Sequence, residues 1–274
     1  MQKLICCAIK RRRDDLRLKE IVKKVAEEQN LSNGTMSFIG HLEELRKRII
    51  VCLIALCVTF AVAYAFKEKL FGILMLPLLG AMEPGQKMIF TSLTEAFFCY
   101  LKTAFIGGLL MAVPVIMYQM WLFVAPGLYD KEKRLLLPFV FLSSFFFIGG
   151  ALFGYFIVFP YAFEYLMGFG TDSVKAMPSM KEYLSLASLF LFAFGCTFEL
   201  PLVLTLLAKA RIVTASFLNK YRKYATLLIF IVSALITPTT DPFNLFLMAV
   251  PLMFLYEVGI IGAKIFGKKE KKAA

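Results

Sequence analysis

The sequence predicts an all-α polytopic membrane protein with six transmembrane helices and both termini in the cytoplasm. Three observations carry this. Hydrophobic residues make up 59% of the chain and charged residues only 18%, with a mean hydropathy of +0.73. Charge is missing from long stretches: Leu135–Phe159 has none, and Tyr183–Ala208 has only Glu199. A run of about 18 or more apolar residues can cross a bilayer, and a soluble helix would keep a wet face that these segments lack. Lastly, 25 of the 31 Lys and Arg fall on one side of the predicted spans. They lie before span one, between spans two and three, between spans four and five, and from Lys264 onward. The positive-inside rule puts those segments, and hence both ends, in the cytoplasm.

The elements follow from breaks at charged, Pro and Gly clusters. Residues 1–35 stand apart. Arg11-Arg12-Arg13 and the mixed charges to Glu28, with Ile21, Val22 and Val25 on one side, fit a short amphipathic helix on anionic headgroups or a partly disordered arm. Asn33-Gly34 ends it. No apolar core follows the start directly, so this is not a secretory signal peptide. Spans are expected at about Ile49–Phe66, Thr94–Met117, Leu135–Phe159, Tyr183–Ala208, Tyr224–Ile236 and Pro242–Ile265. They must be helical, because unpaired backbone groups are too costly in hydrocarbon. Ser92-Leu93-Thr94-Glu95 and Ser179-Met180-Lys181-Glu182 fit capping boxes at the starts of spans two and four. Asp241-Pro242 supplies an N-cap and a first-turn proline for span six.

The last two spans read as short. The clean run Ala225–Ile236 is about 18 Å long at about 1.5 Å per residue, against roughly 30 Å of hydrocarbon. Span six has 15 residues from Pro242 before Glu257. Prolines at 114, 138, 201 and 251 remove backbone donors and bend their helices. A non-parallel bundle able to enclose a concavity is expected.

Several function classes are excluded or weakened. The net charge of +12 is a topology signal, and no folded basic domain exists to bind nucleic acid. The six Cys contain no C-x-x-C pair. His41 is the one His, and neither a zinc motif, a nucleophile elbow nor a P-loop is present. No enzyme activity and no cofactor are expected.

Acids inside spans are the functional candidates, since a lone carboxylate in hydrocarbon is costly. They are Glu95, Glu164, Glu199 and Glu257. Glu95 sits at a helix start, where backbone amides favour an acid. Glu199 and Glu257 lie deeper, each either facing a water-filled cavity or closing a polar contact between helices. Glu164 follows Phe159-Pro160 near the outer surface. Lys102 lies two turns after Glu95 on one face, a weak pair. These features alone leave open a secondary transporter of small solutes, a protein-translocation subunit and an assembly scaffold.

The segment Ser37-Phe38-Ile39-Gly40-His41-Leu42-Glu43-Glu44-Leu45-Arg46-Lys47-Arg48 resembles the N-terminal signature of the TatC family, the polytopic receptor subunit of the twin-arginine protein translocase. Pro77-Leu78, Phe123-Val124-Ala125-Pro126-Gly127-Leu128-Tyr129, Glu132-Lys133-Arg134, Phe159-Pro160, Phe198-Glu199-Leu200-Pro201, Thr237-Pro238 with Asp241, and Tyr256-Glu257 follow in family order. The likeness covers residues 36–266 as one membrane domain, with 267–274 as a basic cytoplasmic tail. It implies that 1–35 is a cytoplasmic extension, or precedes a true start at Met36.

The resemblance implies a concave, glove-like bundle in the bacterial inner membrane. It implies binding of twin-arginine precursor proteins, and export of folded proteins driven by the proton-motive force. TatA-like and TatB-like single-span subunits are the implied partners, together with self-assembly into a multimeric receptor complex. Carried onto this sequence, Glu44 and Glu132 become the acceptors for two signal-peptide arginines, with Arg46 as orienting cation and Phe123 as apolar wall. Glu164, Glu199 and Glu257 become intramembrane or cavity acids, Asp172 competing with Glu164 for the outer position. Pro77, Pro126 and Asp241 become structural or rim positions.

Overall fold

The computed structural model describes residues 40–82, 86, 88–124, 136–169, 177–210, 212–237 and 241–266. The chain divides into two compact units, Met1–Val51 and Cys52–Ala274, and the boundary falls inside the first helix, α1 (Gly40–Ala65). Every element among the described residues is helical except an isolated parallel bridge, in which Ile89 N–H donates to Pro178 O and Met180 N–H to Ile89 O.

After α1 the chain breaks at Phe66 and turns into α2 (Lys67–Ala81), which no predicted span anticipates. Its 15 residues are too few to cross the membrane, at about 22 Å. It packs instead on α3 (Glu95–Val124) and on α5 (Phe159–Met167). The expected third span is α4 (Leu136–Phe153), a π-helical turn over Gly154–Val158, and α5. Pro160 in the first turn of α5 contributes no backbone donor, and the ladder widens just before it. The fourth span is α6 (Met180–Phe198) and α7 (Leu200–Lys209), interrupted at Glu199 ahead of Pro201. A short α8 (Ala215–Lys220), capped by Thr214, leads into α9 (Arg222–Ile236) and α10 (Pro242–Phe266).

Five helical stretches among the described residues are long and apolar enough to cross a membrane: Gly40–Ala65, Glu95–Phe123, Leu137–Met167, Met180–Lys209 and Pro242–Phe266. The expectation that both of the last two spans are short holds for α9 only. Glu257 does not end α10, which continues for 25 residues, about 37 Å. A carboxylate with a partner can stay within a helix where a lone one would mark its end.

Packing is set by small residues. A Cβ added at Gly150 of α4 would lie 2.5 Å from the Phe194 carbonyl oxygen of α6, and one at Gly108 of α3 would lie 2.8 Å from Phe60 Cα of α1. Backbones approach this closely only where side chains are absent, as in membrane helix pairs generally. The core behind these seams holds Phe159, Phe194, Leu184 and Ala187, all fully buried. Large apolar groups also cover the outside, with Leu235 81% and Phe141 78% exposed. Water would penalise such a surface, whereas lipid tails are as apolar as the side chains.

Candidate functional site

Glu44 lies in the first turns of α1, where an acid complements the helix dipole. Arg48, one turn on, donates Nε to Glu44 Oε1 at 3.2 Å and brings Nη2 to the same oxygen. His41 Nδ1 stands 4.0 Å from Oε2. Arg46, which the sequence places next to this acid, is exposed and belongs to no ion pair among the described residues. Arg48 is therefore the partner that the sequence reading passed over. The helical spacing of four was the available signal. Phe123 ends α3 half-buried. Glu132, Pro126 and Asp172 lie outside the described residues.

Glu199 occupies the break between α6 and α7. Its carbonyl accepts Val203 N–H, and its own N–H donates to Cys196 O. The side chain is buried, at 7% exposure. Ser143 of α4 donates its hydroxyl to Oε2 at 2.7 Å, while Oε1 has no hydrogen-bond partner among the described residues. An unmet buried acceptor costs about 1–3 kcal/mol, and the acid also sits where the backbone ladder is already open. The arrangement can accept one further donor from a neighbouring helix or segment.

Glu257 is a different case. Arg222, at the start of α9, grips both carboxylate oxygens, with Nε on Oε1 at 2.6 Å and Nη2 on Oε2. Such a fork is the strong geometry for Arg and carboxylate. Next to it, Tyr256 donates its hydroxyl to Leu218 O of α8. The pair closes α10 onto the short helices that precede it.

Glu95 works as a staple. Its Oε2 accepts the Thr91 N–H and hydroxyl, and its Oε1 accepts the Ser179 hydroxyl and the Lys181 N–H. The two expected capping boxes do not form. Ser179 makes no side-chain cap on its own helix, because its hydroxyl is drawn to Glu95. One carboxylate from α3 serves the first turn of α6, a long-range solution that local pattern does not reveal. Asp241 does cap α10 as expected, its Oδ2 accepting Asn244 N–H at 2.8 Å. Glu164 is exposed on α5. The hairpin of α9 and α10 also buries Ser233, Thr237 and Asn244, three polar side chains that the sequence reading did not single out.

Pro77 sits inside α2 and supplies no N–H, so the carbonyl of Ile73 lacks its helical donor. Tyr155, in the π-helical turn, fills that place and donates to Ile73 O at 2.5 Å. Tyr183 of α6 donates to the adjacent Leu74 O. Beside this junction lies an apolar cavity of about 510 Å³, walled by α2, α3, α4 and the π-helical turn, with Leu74, Leu110, Ile148 and Tyr155 among its lining. Its size falls within the roughly 300–1,000 Å³ of ligand-binding cavities.

A family model described as Sec-independent protein translocase protein (TatC) matches residues 40–251. A Sec-independent protein translocase protein TatC of Desulforapulum autotrophicum is 57% identical over 233 residues, covering 85% of this chain and 86% of that one. Its counterpart from Magnetococcus marinus is 44% identical over 239 residues, covering 86% and 88%. A crystal structure of a twin-arginine translocase receptor, TatC, superposes with a TM-score of 0.73 at 39% identity, over 82% of this chain and 99% of that one. With a family match across most of its length and this degree of identity, the chain belongs to the TatC family of Sec-independent protein translocase proteins.

Proposed function

We propose that the chain is the receptor and core channel subunit of a twin-arginine translocase in the bacterial inner membrane. It binds precursor proteins through two consecutive arginines and exports them folded, driven by the proton-motive force. Six spans, with α9 as the short fifth, form a concave bundle with both termini cytoplasmic. The distribution of Lys and Arg supports that topology. Single-span TatA-like and TatB-like subunits and further copies of the chain complete the complex.

Glu199 is the observation that carries this reading. A translocation subunit needs a polar point inside the membrane that a docking segment can satisfy, and among the described residues Glu199 has one carboxylate oxygen bound and one open. The apolar cavity walled by α2, α3, α4 and the π-helical turn suits the apolar stretch of a signal peptide. Glu257 and the outer Glu164 join Glu199 as intramembrane or cavity acids, and Pro77, Pro126 and Asp241 are structural or rim positions.

Recognition falls to Glu44 and Glu132. Two arginines call for two carboxylate acceptors. Arg48 holds Glu44 in place on the helix and yields part of it to the incoming guanidinium. Arg46 orients the ligand, and Phe123 forms an apolar wall. Site-specific crosslinking to a twin-arginine precursor tests this. Glu44→Gln or Glu132→Gln is expected to weaken the crosslink at least several-fold while membrane insertion stays normal. Unchanged crosslinking in both variants overturns the assignment.

A further inference from the structure

A second, polar pocket opens between the first turns of α3 and α6. Its volume is about 420 Å³. Lys102, Lys181, Ser92 and Ser185 line it, over a floor that includes Phe98 and Leu184. Lys102 lies seven residues into α3, about 10 Å below the helix start. A cation at that depth in a spanning helix is expensive unless something answers its charge.

Nothing among the described residues does. Lys102 Nζ donates to the Ser185 hydroxyl at 3.0 Å, and neither Lys102 nor Lys181 forms an ion pair among the described residues. Glu95 also lines the pocket, but its two oxygens already accept four donors, none of them an ammonium. The Ser185 oxygen accepts from Lys102, which leaves its own proton to donate outward. Lys102, Lys181 and the Ser185 hydroxyl thus share one pocket with an apolar floor, with one positive charge in excess over the Glu95 carboxylate.

We propose that this pocket binds an anionic phosphodiester, the headgroup of an acidic bilayer lipid. Lys102 and Lys181 hold the phosphate oxygens, and Ser185 donates to one of them. The acyl chains run along the apolar floor at Phe98 and Leu184. A carboxylate from a partner would satisfy one ammonium and leave the rest of the volume empty, whereas a phosphodiester with its glycerol uses both. Basic pockets between membrane helices recognise acidic headgroups by this chemistry. On the topology proposed above, the lipid belongs to the outer leaflet, but binding itself does not depend on that topology.

The test is native mass spectrometry of the full chain released from detergent micelles. Phosphatidylglycerol and phosphatidylcholine with identical acyl chains are added in parallel. The parent chain should retain phosphatidylglycerol in preference to phosphatidylcholine. Lys181→Gln, at an exposed position, should weaken that retention about fivefold, and Lys102→Gln combined with it about 30-fold, from the worth of one cation near an anionic lipid surface. Lys102→Arg should keep most of the binding, and Lys69→Gln, an exposed cation of α2 outside the pocket, all of it. Equal retention of the two lipids by the parent, or undiminished phosphatidylglycerol on the double variant, overturns the proposal. Displacement of the lipid by millimolar inorganic phosphate would show a site for free phosphate and defeat the lipid assignment.

Discussion

Replacing Tyr155 with Phe removes one oxygen and keeps the ring, which packs edge-on against Phe156 and Phe159. The lost group is the donor that meets Ile73 O, the carbonyl left open by Pro77. In a soluble interior an abandoned acceptor costs about 1–3 kcal/mol. Polar contacts between membrane helices are worth less, about 0.6 kcal/mol on average and up to about 1.7. Ile73 and Tyr155 both line the apolar cavity, and the other hydroxyl in its lining, that of Thr103, already donates to Cys99 O. The upper part of the membrane range therefore applies, and Tyr155→Phe should cost about 1–1.5 kcal/mol. Pro77→Ala supplies the control, because it restores a backbone N–H four residues after Ile73. In that background Tyr155→Phe should cost at least about 0.5 kcal/mol less, the size of coupling expected for groups sharing one partner. The assay is reversible unfolding of the full chain in mixed micelles, run on the parent, both single variants and the double. Additivity within about 0.3 kcal/mol would refute the argument that Tyr155 answers the proline.

Three further outcomes follow from the same geometry. Gly150→Ala should destabilise the chain by about 1–3 kcal/mol, because its methyl meets the Phe194 carbonyl at 2.5 Å, while Gly149→Ala next to it has open space and should be close to neutral in the same unfolding assay. Glu199→Ala should reduce crosslinking to single-span partners or precursor roughly five- to thirtyfold, as for loss of about 1–2 kcal/mol of polar contact in the membrane, with insertion retained; cysteines at that position that label only with lipid probes would count against it. Four leucines inserted after Leu228 bring α9 to about 28 Å, close to the hydrocarbon thickness. Export and partner crosslinking should then fall while twin-arginine peptide binding stays, and normal export by this variant would show that the short helix has no use.

Hydropathy made the spanning helices legible because lipid asks for one thing, an unbroken apolar length. The expected Tyr183–Ala208 corresponds to α6 and α7 over 180–209, and the expected Thr94–Met117 to Glu95–Val124. What hydropathy misses is whatever tertiary contact decides. α2 is interrupted by Pro77 and opens on Lys67-Glu68-Lys69, so it reads as a loop, yet it is helical because Tyr155 and Tyr183 serve its carbonyls and α3 and α5 cover it. The capping boxes failed for the related reason that Glu95 reaches a helix 84 residues away in sequence from its partner at Ser179. Arg222 and Glu257 are 35 residues apart, beyond any periodicity, and nothing in the sequence singles Arg222 out from the other basic residues between spans four and five.

The acids show how far residue type alone carries a functional argument. From sequence, Glu95 reads as an acid at a helix start, whereas Glu199 and Glu257 look alike, each a carboxylate at odds with its apolar setting. The structure separates them by what meets the oxygens. Glu95 has four donors and no capacity left, so it holds α3 to α6 and does nothing further. Glu257 is neutralised by a two-point contact with Arg222, which fixes α9 against α10. Glu199 has one hydroxyl on one oxygen, and it sits at a helix break that adds to its cost. A fold does not keep a half-satisfied buried acid for stability, since an apolar residue there would be cheaper. Retention makes physical sense if the missing donor arrives from outside the chain. That is why Glu199, rather than the better-bonded acids, bears the weight of the translocation proposal.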